Sequence, residues 1–436
     1  MSRILCIALL VIPFTLHAAD GALLRLHGSN TIGSELAPDL VASWLLSEGF
    51  SNIQVVPVAD ESIEIHGTDR QGRLQTVEIL SHGSGTGFTS IAEGKADIAM
   101  SSRAIKEDEL DLLADFGDMT SHKAEYIIGL DGIAVIVNQK NPIQTIQKHQ
   151  LAKIFTGEIQ DWQQIDPAMK GPVHVYARDD KSGTYDTFKS LVLGKGKLIS
   201  NARRYESSSQ LSDDVAQDNL AIGFIGLPYV RQARALGVSE AGAMARYPEM
   251  FDVATEDYAL ARRLYMYVPT RIQNPQVNSF MTFVMSGLGQ ALVQDNGFIA
   301  QKIIAQTVKL DQGLPEEYLV FTQNGERLSL NIRFHKGSVA VDTKAHHDLN
   351  RLVEYMKSTA NRDKKIMLFG FSDETRSIPE YSEDLATHRV DRVADLLVRK
   401  GLDPIRVRAY GSANPVASNE DVAGRFKNRR VEIWIQ

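Results

Sequence analysis

From about Leu23 to Ile304, short apolar runs alternate with amphipathic stretches, the order of an α/β unit in which strands and helices succeed one another. The runs predict strands at Leu24–His27, Gln54–Val58, Val77–Leu80, Ile133–Asn138, Val173–Ala177 and Ala221–Ile225. Helical spacing is expected at Leu36–Leu46, Leu151–Phe155, Thr187–Leu193 and Asn278–Val284. The polar stretch between Ala59 and Thr76 reads as a hairpin turn centred on Asp69-Arg70-Gln71-Gly72. Residues 306–327 are polar and irregular and are expected to link two units. The pattern then restarts with a strand at Leu328–Phe334 and a helix whose Leu349, Leu352, Val353 and Met356 share one face. A strand at Lys365–Phe371, a helix from Ser382 to Lys400 stopped by Gly401, and a strand at Val431–Ile435 complete a β-α-β-α-β order. The units expected are thus 20–305 and 328–436.

The first 19 residues stand apart. Arg3 supplies a positive start, Ile4 to Leu16 an apolar run too short to span a bilayer, and Leu16-His17-Ala18 a small-residue cleavage site, as in a secretory signal peptide. Cys6 is the only cysteine of the 436-residue chain and falls inside this segment, so a cleaved product would hold no disulfide. An exported, periplasmic protein is expected. The formal net charge of −7 argues against a protein that coats nucleic acid. Any anion must therefore be held by local donors.

Three turns between a strand and a helix supply such donors: Gly28-Ser29-Asn30-Thr31, Gly83-Ser84-Gly85-Thr86-Gly87 and Arg178-Asp179-Asp180-Lys181-Ser182-Gly183-Thr184. A helix start leaves backbone N–H groups unpaired and attracts oxyanions. Glycine lets the ligand approach, hydroxyls add donors, and an arginine fork suits two oxygens of a tetrahedral anion. Any one such serine is usually only a helix cap. Three in one α/β unit point to a ligand if they converge at the carboxyl ends of the strands.

These motifs, in this order, together with Ala96-Asp97-Ile98-Ala99-Met100-Ser101-Ser102-Arg103, Asp131-Gly132-Ile133-Ala134-Val135-Ile136-Val137-Asn138, Ile154-Phe155-Thr156-Gly157 and Ile222-Gly223-Phe224-Ile225, resemble the phosphate-binding proteins of bacterial ABC uptake systems. The resemblance covers about residues 23–304. It implies a two-lobed periplasmic binding fold of type 2 that closes over one anion, with Gly132–Asn138 as a crossing between the lobes. Carried over position by position, the family's phosphate contacts fall on Thr31, Ser84, Arg178, Ser182, Gly183 and Thr184, with Ser29 and Ser102 next. Members often carry an aspartate where Ser102 stands, a carboxylate that accepts the proton of hydrogen phosphate and so rejects sulfate. Asp131 is a further candidate for that part, and sulfate or another oxyanion is the alternative ligand. An ABC permease would be a partner.

Residues 328–436 resemble the OmpA-like peptidoglycan-binding domain through Gly370-Phe371-Ser372-Asp373, Leu385-Ala386-Thr387-His388-Arg389 and Gly424-Arg425-Phe426-Lys427-Asn428-Arg429-Arg430-Val431-Glu432-Ile433. The resemblance implies that Asp373 meets the ammonium and Arg389 the carboxylate of diaminopimelate in the wall peptide. Arg425, Arg429 and Arg430 are expected to brace the fold or touch the wall generally. Phe371-Ser372 replaces a His-Thr pair and Ser382 a common asparagine, so the loop from Ser372 to Tyr381 is expected to be reshaped.

The adjacent His346-His347 cannot share a helix face as a metal pair would, and neither a metal nor a cofactor is expected. Glu107-Asp108-Glu109 and Asp213-Asp214 read as solvated faces, and Trp44, Trp162 and Trp434 as packing. Neither Ser84 nor Ser182 has a recognisable activating base beside it in sequence, so a binder anchored to the wall is expected rather than a phosphatase. A wall-held structural, sensor or adhesion protein is the remaining alternative.

Overall fold

The computed structural model describes residues 21–436 except 60, 181, 272–273, 311–312 and 375–378, and of residues 379–382 the backbone alone. The expected signal segment, Cys6, Lys181 and part of the Ser372–Tyr381 loop lie outside the described residues.

The opening strand, Leu24–Gly28, lies between Leu74–Leu80 and Ile98–Ser101 and runs parallel to both. This parallel packing puts the carboxyl ends of three strands side by side, where the turns expected to bind the ligand begin. The hairpin turn at Asp69-Arg70-Gln71-Gly72 is present. The polar stretch before it, however, forms a further strand, Ser62–Thr68, paired with Ser51–Ala59 and Leu74–Leu80. Ile63 and Ile65 alternate there with Glu64 and His66, so only one face is apolar and no continuous run marks the strand.

Glu125–Val137 belongs to both lobes. Residues 125–132 pair antiparallel with Ala261–Tyr267, and residues 133–137 pair antiparallel with Ala221–Gly226. The exchange of partners falls between Gly132 and Ile133, so the crossing strand is longer than the Gly132–Asn138 segment expected to bridge the lobes. Being central, it is buried on both faces, as its near-continuous apolar sequence requires. The first lobe closes over Trp44, Phe280 and Leu264, and the second over Trp162, Phe188 and Phe224. The second lobe's sheet continues through His174–Arg178, parallel to Ala221–Gly226.

In the C-terminal unit, Ile366–Phe371 pairs parallel with Arg406–Ala409 and antiparallel with Arg430–Ile435, which pairs in turn with Glu326–Arg333. The helices Thr343–Lys357 and Pro379–Val398 flank this sheet, and the first buries Leu349, Leu352 and Met356. The sheet's other face corrects the expected linker. Within 306–327, the helix Glu316–Thr322 buries Tyr318 against Met367, Phe369, Phe371 and Trp434. Ile366–Phe371 is apolar on both faces, so both need a cover, and this helix supplies the second. Arg406–Ala409 and the helix Val422–Asn428 are additions to the expected β-α-β-α-β order. Among the described residues no helix is long and apolar enough to cross a membrane.

Candidate functional site: an interlobe oxyanion cleft

On the first lobe the turns meet through the backbone. Ser29 N donates to the Met100 carbonyl at 2.9 Å, and Gly83 N donates to the Gly28 carbonyl at 2.8 Å. Gly28 has φ +134°, and a Cβ there would stand 2.1 Å from Met100 O, so only glycine lets the two strand ends approach this closely. Ser84 Oγ, at the start of the helix Ser84–Ala92, accepts from Ser102 N at 3.1 Å and lies 3.4 Å from Ser102 Oγ. Ser29, Ser84 and Ser102 therefore line one rim.

On the second lobe Arg178 ends the strand His174–Arg178. Its guanidinium donates through Nε to the Tyr205 carbonyl at 3.2 Å and through Nη1 to Ser208 Oγ. Burial lowers its pKa below that of a free guanidinium. Ser182 caps the helix Gly183–Phe188, its hydroxyl accepting from Tyr185 N at 3.4 Å. Where the lobes touch, Gly183 meets Thr31: a Cβ on Gly183 would lie 2.1 Å from Thr31 Oγ1.

Thr31 and Gly183 line two adjoining spaces between the lobes. One, of about 580 Å³, also takes in Ser29, Ser84 and Ser102. The other, of about 750 Å³, takes in Asp131, Arg178, Ser182 and Thr184. The residues expected to hold the anion thus gather at one cleft, but on the two sides of the Thr31–Gly183 contact.

One residue of the cleft was not foreseen. Arg262, opposite Asp131 on the neighbouring strand, is buried and donates to Asp131 Oδ2 through Nε at 3.0 Å and Nη2 at 2.8 Å. Nη2 also reaches Thr31 Oγ1 at 2.9 Å, and the side chain lines the smaller space. Burial pulls its pKa down and the Asp131 carboxylate opposes that pull. The signal was Arg262-Arg263 heading an otherwise apolar strand, ARRLYMY. Asp131 is accordingly held by an arginine where it borders the larger space.

Elsewhere Trp44, Trp162 and Trp434 are fully buried packing residues. Glu109 departs from the expected solvated face: it is buried, pairs with Arg103 at 2.6 Å and accepts from Lys106 N at 2.9 Å.

The residues expected to bind the wall lie close together, joined through a hydroxyl. Arg389, 0% exposed, donates through Nη1 to Ser372 Oγ at 3.2 Å and through Nε to the Ser338 carbonyl at 3.1 Å. Ser372 Oγ lies 3.4 Å from Asp373 Oδ1. Asp373 is ion-paired with Arg429 at 3.1 Å. Arg430 is fully buried against Glu432 at 2.8 Å, a bracing role.

Comparison with known proteins agrees with this architecture. Residues 64–287 match the PBP superfamily domain and residues 333–429 the OmpA family. Protein SphX of Synechococcus elongatus is 31% identical over 228 residues, covering 50% of this chain and 66% of SphX, just under two thirds of that relative. The phosphate-binding protein PstS of Staphylococcus saprophyticus is 28% identical over 233 residues, covering 52% of this chain and 71% of PstS. Among solved structures, an ABC-type phosphate transport receptor from Vibrio cholerae shares the fold, with a TM-score of 0.50 at 23% identity over 63% of this chain and 99% of the receptor. With over half of its residues inside the first match, the chain belongs to the PBP superfamily, here joined to an OmpA family domain.

Proposed function

We propose that this chain is a periplasmic, non-enzymatic receptor for inorganic phosphate, exported by its N-terminal segment and held to peptidoglycan by its C-terminal unit. The observation that carries the reading is the meeting, at one interlobe cleft, of hydroxyls from three strand-to-helix turns with a half-buried arginine, Arg178, from one lobe and a buried one, Arg262, from the strand beside the crossing. Neutral donors and arginine forks can satisfy a desolvated oxyanion without net positive charge on the protein. Closure of the lobes over the ligand is the conformational change such a two-lobed body allows. The PstS relative, a phosphate-binding protein by name, supports phosphate as the anion. Among the described residues Ser84 meets Ser102 and Ser182 accepts the Tyr185 N–H, hydroxyl arrangements that suit holding an oxyanion. Delivery to an ABC permease is consistent with this reading.

A hydroxyl at Ser102 admits a second ligand, sulfate, because serine both donates and accepts and so does not select a protonated anion. Calorimetric titration of the mature chain with phosphate, with sulfate as competitor, decides between them. Submicromolar phosphate binding that survives excess sulfate and is lost in Arg178→Ala supports the phosphate receptor. Binding of neither anion would leave the C-terminal unit as the functional part.

A further inference from the structure

The segment 255–260 carries the chain from the helix Met250–Ala254, in the core of the second lobe, to the strand Ala261–Tyr267, which enters the first. It is the second crossing between the lobes, and its last step delivers Arg262 to the cleft. Its backbone carbonyls and carboxylates are fastened by the C-terminal unit. The Thr255 carbonyl accepts from Asn331 Nδ2 at 2.9 Å and Arg333 Nη2 at 2.8 Å. Asp257 accepts from Arg327 Nη2 at 2.8 Å and Asn331 Nδ2 at 2.9 Å. The Tyr258 and Ala259 carbonyls accept from Lys427 Nζ at 3.0 and 3.2 Å. Arg263, beside Arg262, pairs with Asp342 at 2.7 Å and with Glu256 at 3.0 Å.

Two features make this more than contact between neighbours. Glu256 sits at φ +62°, a left-handed conformation costly for a residue with a side chain, which persists where its surroundings over-determine it. Asp257, Arg327, Arg333 and Asp342 are buried, and buried charges are tolerated only with their partners in place. The same unit also walls the cleft: Phe426 and Lys427 line the space that holds Ser84 and Ser102.

We propose that the C-terminal unit is a working part of the oxyanion site, with Lys427 and Asn331 as positioning residues that fix the crossing 255–260 and thereby Arg262. The inference rests on the receptor reading above. The full-length chain is compared with Lys427→Met, Lys427→Arg, Asn331→Leu and, as a distant surface control, Lys400→Ala, by amide hydrogen exchange and by phosphate calorimetry. Loss of either fastening is expected to speed exchange in 255–263 at least tenfold and to weaken phosphate binding at least tenfold. Exchange in 366–371 stays unchanged, Lys427→Arg recovers most of both, and the control matches wild type. Unchanged exchange in both loss variants overturns the proposal, as does faster exchange with phosphate affinity within twofold of wild type. A wild-type chain that binds no phosphate overturns the receptor reading and with it Arg262's part in an anion site. The exchange arm then still separates a fastened crossing from a loose one.

Discussion

Arg262 lies directly across the strand pair from Asp131 and, from that one position, holds both the Asp131 carboxylate and the Thr31 hydroxyl. The pair is buried on both sides, with side chains 6% and 7% exposed. The carboxylate thus neutralises and aims the guanidinium while one edge of the fork stays toward the cleft. Two effects are therefore separable. Removing Arg262 alone leaves a buried, unpaired carboxylate, and breaking such a pair costs about 3–5 kcal/mol. Arg262→Met is expected to lose that much in urea unfolding and to lose phosphate binding as well. The double variant Arg262→Met with Asp131→Leu is expected to regain most of the stability and none of the binding. Recovery of binding in the double variant would remove Arg262 from the site.

At the first-lobe rim, Ser102 donates its backbone N–H to Ser84 while its hydroxyl stands 3.4 Å from that of Ser84. A carboxylate here would accept the proton of hydrogen phosphate and repel sulfate, which has none to give. Ser102→Asp is expected to raise the preference for phosphate over sulfate by about tenfold or more, since a like-charge mismatch in a desolvated site costs at least 1–2 kcal/mol. Competition calorimetry reads the ratio. An unchanged ratio would show that the anion does not reach Ser102.

Asp257 ties the crossing to the C-terminal unit. Burial alone would raise its pKa, but Arg327, Arg246, Arg430 and Arg333 hold the carboxyl far below its ordinary range. A carboxyl with a lower pKa folded than unfolded stabilises the native state above its unfolded value, about 3.9, and loses that contribution as the pH falls through the folded value. The stability gap between wild type and Asp257→Asn is therefore expected to be flat from about pH 5 to 7 and to shrink below about pH 4. Urea midpoints across that range measure it. A gap that widens in acid would contradict the assigned direction.

What could be read from the sequence followed the strength of local signals. Residues 133–137 and Ile366–Phe371 are apolar on both faces and announce themselves as strands, whereas residues 125–132 of the same crossing strand, with Glu125 and Asp131 among them, were not expected. Ser62–Thr68 and Arg406–Ala409 alternate or carry arginines, so their pairing comes from neighbours that no local window contains. The Glu316–Thr322 helix was hidden for the same reason: its worth lies in one residue, Tyr318, whose rings and hydroxyl meet Phe369, Trp434 and Glu432 far along the chain. At the cleft, the glycine and hydroxyl turns were legible because strand-to-helix chemistry is local. Arg262 was not, because its meaning depends on lying opposite Asp131 and under Thr31. The fastening of 255–260 by Arg327, Asn331 and Lys427 is wholly long-range and left no mark in composition or spacing.

The proposed hold on peptidoglycan can be tested at Asp373 and Arg389. Diaminopimelate presents an ammonium and a carboxylate side by side, so its pocket needs one group of each sign. Asp373 already faces a cation, Arg429, whose side chain is 5% exposed, while Arg389 is buried beneath Ser372 and Ser338. An incoming ammonium must therefore compete with Arg429 for Asp373. Asp373→Asn is expected to weaken binding of a diaminopimelate-containing muropeptide at least tenfold, since a charge-assisted hydrogen bond contributes about 1.5–3 kcal/mol. Arg429→Gln should instead strengthen it severalfold by removing a competing cation. Titration of both variants by fluorescence anisotropy with a labelled muropeptide separates the cases. If Arg429→Gln weakens binding as much as Asp373→Asn, the two act as one unit. The peptide carboxylate then rests on Arg429, and Arg389 serves the fold.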